Sequence, residues 1–188
     1  MKRALILAAI SVPALAHAHP GLHTAGFTDG AIHPWAGLDH LAAMVAVGLW
    51  AVQRGSRALW ALPLAFLGAM FGGFLLGANG VSLPAVEPVI LASGILLGLA
   101  VCGAVRAPLW ASLATCALFG VFHGHAHGTE AGGTASLASY AAGFLAATAL
   151  LHAIGVRCGI GLSNVGRHAW IRGLGAGAAA CAAISAWI

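Results

Sequence analysis

Six apolar runs, at roughly 38–53, 59–78, 88–105, 109–127, 135–156 and 170–188, take up most of this chain and leave it few ways to fold. Each approaches the ~20 residues that cross a ~30 Å hydrocarbon core at 1.5 Å per residue. Inside a bilayer every backbone N–H and C=O must find its partner within the protein, which leaves only helices and closed barrels. A barrel strand alternates lipid-facing with lumen-facing residues, and these runs do not alternate, so they read as helices. Composition agrees, with 61% hydrophobic and 6% charged residues, against roughly a quarter charged in soluble domains. The expected fold class is all-α: an integral membrane bundle of about six transmembrane helices.

Residues 1–18 stand apart from those runs. Lys2-Arg3 is followed by an apolar core from Ala4 to Leu15 and then by Ala16-His17-Ala18, the small-x-small pattern of a signal-peptidase site. A core of about 12 residues is too short to span, so the segment reads as a cleaved signal peptide with 19–188 as the six-span domain. The mature chain would then begin His19-Pro20-Gly21-Leu22-His23. His19 and His23 in such a solvated tail are weak accessory ligands at most.

Between the runs the charges alternate in sign: Arg54 and Arg57, then Glu87, Arg106 and Glu130, and last Arg157, Arg167 and Arg172. Arg-bearing connections stay in the cytoplasm, which sets the mature N-terminus, the Glu87 and Glu130 loops and the C-terminus outside. A signal peptide delivers the N-terminus to the same side. The formal charge of +4 is spread over short connections and cannot neutralise a row of phosphates. Nucleic acid is therefore excluded as a partner, and the lipid bilayer is required. Cys102, Cys116, Cys158 and Cys181 lack CxxC spacing and read as packing residues.

Ionisable groups at the edge of a span mark function by default. His33-Pro34-Trp35-Ala36-Gly37-Leu38-Asp39-His40 opens the first run, and Phe122-His123-Gly124-His125-Ala126-His127-Gly128 closes the fourth. The topology puts both at the outer face. His123 and His127 are four apart and share a helical face, whereas His125 points to the other side unless the helix breaks at Gly124, and counts as an accessory candidate. Pro34 suits the first helical position, which would leave His33 outside the helix, and Gly37 allows a bend that folds His33 back over His40. Asp39 either ligates or takes the spare N–H of a ligating histidine. Neutral imidazole with carboxylate suits Ni²⁺, Co²⁺, Zn²⁺ or Cu²⁺. Glu87 joins these groups at the outer face, and His152 stands alone near the inner end of the fifth run. Glycines four apart, as at Gly120/Gly124/Gly128, allow close helix packing.

The HPWAGLDH segment, the LAAMVAVGLWA that follows it and FHGHAHG together resemble the HupE/UreJ family of bacterial nickel and cobalt permeases. So do the signal peptide and the six later spans. The resemblance implies that His33, Asp39, His40, His123 and His127 carry the metal, and Glu87 looks like a further family position. It implies a secondary permease of the bacterial inner membrane that imports Ni²⁺, or Co²⁺, as its substrate. It also implies a link to hydrogenase or urease maturation. No cofactor is expected, no enzymatic activity, and a homo-oligomer is an open option. Two other readings exist: an intramembrane metal-dependent hydrolase, weakened by the lack of HExxH, and a non-transporting metal sensor or chaperone subunit. No Walker-type loop is present for ATP hydrolysis.

Overall fold

The computed structural model describes residues 26–131 and 136–187, so the expected signal peptide, His19 and His23 lie outside the described residues. The described residues form seven helices and no strand: α1 (Phe27–Ala36), α2 (Leu38–Arg54), α3 (Ser56–Ala78), α4 (Val86–Cys102), α5 (Leu109–Glu130), α6 (Leu137–Asn164) and α7 (His168–Ser185). Helices α2 to α7 answer the six apolar runs, and α1 is an addition that the hydropathy pattern does not set apart. By length and apolarity alone, Arg57–Ala78 and Leu137–Asn164 qualify as spans, and α1 with α2 forms a bent pair that makes a third. Helix α4 is apolar but shorter, α5 is diluted by three histidines, and α7 is built largely of glycine and alanine.

The outer surface of the bundle is what a bilayer solvates. Leu64, Phe71, Leu96, Leu118, Leu150 and Leu174 all point outward, an apolar exposure that water would penalise and lipid does not. Trp60, Trp110 and Trp170 are 71%, 73% and 65% exposed in the opening turns of α3, α5 and α7. Arg57, Arg106 and Arg172 lie at the same end of the bundle. Indole beside guanidinium is the composition of a membrane–water interface.

Polar side chains close this end. The last turn of α4 leaves carbonyls without helical partners. Gln53 Nε2 donates to Val101 O at 3.0 Å and Arg172 Nε to Cys102 O at 2.7 Å. The loop beyond is held by Trp50 Nε1 donating to Val105 O at 3.0 Å and by Arg54 donating to Ala107 O. All four cysteines are free thiols.

Two contacts set the interior. Helices α3 and α5 run parallel with Gly120, Gly124 and Gly128 laid on the backbone of Phe66, Met70 and Phe74, and a Cβ on Gly124 would come 1.8 Å from Met70 O. Helices α2 and α6 meet as closely, since a Cβ on Gly155 would lie 2.3 Å from Val45 O. That second contact corrects the expected end of the fifth run at 156. Gly155, Arg157 and Gly159 do not stop α6, because the glycines are where α2 packs, and the helix continues to Asn164. His152 consequently stands near the middle of its helix, not near its inner end.

Candidate metal centre

The site is built around an elbow. Gly37 is extended (φ −100°, ψ 125°) between α1 and α2, and the two helices meet there at 88°. A Cβ on Gly37 would fall 2.8 Å from Asp39 Oδ1 and 3.1 Å from His40 Nδ1, so any larger residue would displace both groups. One expectation is corrected here. Pro34 is not the first helical residue: it lies in the last turn of α1, and His33 is helical. Proline forfeits only its bond to the Gly30 carbonyl in a helix that ends two residues later, so it is tolerated there. The bend at Gly37, and not a break at Pro34, turns His33 over His40.

Four imidazoles from three helices then stack edge to face. Ring centroids are 4.7 Å apart for His33 and His127, 5.5 Å for His127 and His40, and 4.7 Å for His40 and His123. The two histidine clusters of the sequence are thereby interleaved: His33 pairs with His127, and His40 with His123. The reason is the helical rise. His127 stands one turn nearer the bundle end than His123, and the elbow sets His33 above His40 in the same sense.

The column is open at its His33 end. The side chains of Glu130, His33 and His40 are 48%, 35% and 13% exposed, and His123 and His127 are fully buried. At the mouth, His33 Nε2 lies 3.0 Å from Glu130 Oε2. Ligand atoms of His33, His127 and Glu130 come within 4.8 Å of one another, a spacing at which one ion can gather them. Asp29, one turn before His33 on α1, adds a second carboxylate to this rim.

Hydrogen bonds fix which nitrogen each deeper ring offers. Asp39 Oδ1 accepts from the His40 backbone N–H at 2.7 Å and lies 2.9 Å from His40 Nδ1. A carboxylate accepts only, so the His40 proton is on Nδ1 and the lone pair on Nε2, which is buried without a hydrogen-bond partner among the described residues. Ser93 Oγ donates to Ile90 O at 2.6 Å, which commits its single proton, and it lies 2.8 Å from His123 Nε2. His123 therefore donates through Nε2 and keeps its lone pair on Nδ1, also buried and without a hydrogen-bond partner among the described residues. Neither nitrogen of His127 has a hydrogen-bond partner among the described residues. Its ring is held by stacking on Phe144 at 4.8 Å. Buried acceptors left open cost stability unless something fills them.

The other expected residues fall outside this column. His125 Nε2 donates to Val81 O at 2.6 Å and ties the α3–α4 loop to α5. Glu87 is exposed in the first turn of α4, with no hydrogen bond or ion pair to the histidines among the described residues. His152 is buried, with its ring and that of His123 both against Phe66. Two residues were missed as site groups. Glu130 had served only to set the topology, although it follows His127 by three residues and so shares its face. Ser93 gave no signal at all, since a lone serine in an apolar run reads as packing.

The HupE / UreJ protein family matches the chain over residues 5–185. The protein HupE of Rhizobium leguminosarum bv. viciae is 45% identical over 150 residues, which covers 80% of this chain and 78% of that protein. No solved structure matches the chain.

Proposed function

The chain belongs to the HupE/UreJ family, and from that premise we propose that it is a permease that takes a divalent ion, nickel or cobalt, from outside and passes it inward through the bundle. The observation that carries this reading is the column of imidazoles from α1, α2 and α5, stacked edge to face, in which His40, His123 and His127 hold buried ring nitrogens with no hydrogen-bond partner among the described residues. Nitrogen donors with carboxylate at the rim suit a borderline divalent metal better than calcium or magnesium, which prefer oxygen. The ion passes as cargo and not as a resident cofactor, so the protein acts as a carrier and not as an enzyme.

In this scheme Glu130 and His33 collect the hydrated ion at the rim, and water leaves it stepwise as His127, His40 and His123 replace the hydration shell. Asp39 keeps the His40 lone pair aimed inward and offsets the charge that arrives. The histidine end faces the periplasm and the Arg-rich end the cytoplasm, as the positive-inside rule requires of an inner-membrane protein. Both mature termini are then periplasmic. The imported ion goes on to supply a nickel enzyme such as hydrogenase or urease.

Uptake of radiolabelled Ni²⁺ and Co²⁺ by one host, carrying either wild type or His40→Ala, tests the proposal. Wild type is expected to raise uptake above the host background, and His40→Ala to lose about tenfold or more, the lower end of what disturbing a metal site costs. Background uptake by wild type would refute the permease, and full uptake by a well-expressed His40→Ala protein would refute the site.

A further inference from the structure

We infer that His152, with the Met44 thioether and the Thr148 hydroxyl beside it, is a second and inner station for the metal, next to the His40–His123 pair and in contact with the same Phe66 ring as His123. The inference rests on the permease reading and deepens it.

Phe66 is fully buried, with its centroid 5.4 Å from the His123 ring and 5.1 Å from that of His152. One aromatic ring therefore touches both an imidazole of the outer column and a further buried imidazole. His152 is 2% exposed, and its Nδ1 lies 2.7 Å from Met44 O. A carbonyl only accepts, so the proton is on Nδ1 and the lone pair on Nε2. That nitrogen is buried and has no hydrogen-bond partner among the described residues. A histidine kept for packing would gain nothing from this arrangement, because an unpaired buried acceptor is destabilising. It is the same state in which His40 Nε2 is held.

The neighbours supply further donors. Thr148 is one turn before His152 on α6, and its hydroxyl donates to Met44 Sδ at 3.4 Å. Met44 is one turn beyond His40 on α2, so the thioether lies on the path inward from the outer ligands. One imidazole, one thioether and one hydroxyl make a poorer set than the three or four groups outside. Transit demands this order, since an ion must bind well enough to enter and weakly enough to leave.

The test uses the full chain, purified in detergent for Ni²⁺ binding and returned to liposomes for Ni²⁺ uptake. His152→Gln keeps a donor for Met44 O but no imidazole lone pair, and Met44→Leu removes the sulfur at nearly constant volume. Wild type is expected to bind one ion tightly and a second more weakly. His152→Gln should lose the second ion, leave the first within about twofold, and slow uptake about tenfold or more. Met44→Leu should weaken the second ion alone. A single ion in wild type, a second ion retained by His152→Gln, or uptake at the wild-type rate in that variant would each overturn the inner station. Equal weakening of both ions would also overturn it, because that is the signature of a structural role. Wild-type protein that binds both ions and moves neither would instead overturn the permease reading and leave the station standing.

Discussion

Ser93→Ala is the most searching perturbation of the column, because Ser93 touches no expected ligand except through one hydrogen bond. Its hydroxyl gives its proton to Ile90 O and takes the His123 Nε2–H at 2.8 Å, both fully buried. With alanine there, His123 either keeps an N–H with nothing to receive it or shifts the proton to Nδ1. The second choice turns its lone pair away from His40. Either outcome costs about 1–3 kcal/mol, the penalty for an unsatisfied buried polar group. At 1.4 kcal/mol per factor of ten, metal affinity should fall about 5- to 150-fold. Stability without metal should change less, since the metal-free ring is free to move its proton to Nδ1, an option that binding metal through Nδ1 removes. Calorimetric titration of Ni²⁺ into the purified protein measures the first quantity and a melting curve of the metal-free protein the second. Affinity within about twofold of wild type in a folded Ser93→Ala protein would refute the assigned tautomer of His123, and with it the claim that its Nδ1 is the donor.

Asp39→Asn preserves size but removes the charge that holds the His40 proton on Nδ1, and should weaken Ni²⁺ binding about 10- to 100-fold in the same titration. In a double-mutant cycle, His40→Ala and His127→Ala should be non-additive, because rings 5.5 Å apart serve one ion; additive losses would make them separate stations. Gly124→Ala puts a methyl 1.8 Å from Met70 O and should lower the melting temperature, whereas Gly72→Ala meets nothing within 4 Å and should leave it unchanged. Imidazole must be neutral to ligate, so metal binding is complete at high pH and is lost as protons compete. Uptake should therefore fall as the outside medium is acidified; a rate that holds or rises down to the lowest pH at which the protein stays folded would count against the site.

The helical bundle was legible because hydrocarbon forgives so little: an apolar run near spanning length has one way to satisfy its backbone, and that argument needs no neighbour. The identity of most metal-site candidates was equally local. His123 and His127 announce a shared face by their spacing alone, and Asp39 and His40 by adjacency. What lay beyond the sequence was the pairing of groups on different helices. Whether His33 meets His40 or His127 depends on the angle at Gly37, and that angle comes from how α1 lies against α6, not from the eight residues of the motif. Glu130 and Ser93 acquire their roles only when α1 and α5, or α4 and α5, are brought side by side. His152 shows the same limit: in sequence it was a solitary histidine at the wrong depth, until the close contact of α2 with α6 carried the helix past Arg157 and set its ring against Phe66. Periodicity and solvation act along one chain segment and can be read there, whereas coordination is a property of the distances between segments, which only packing decides.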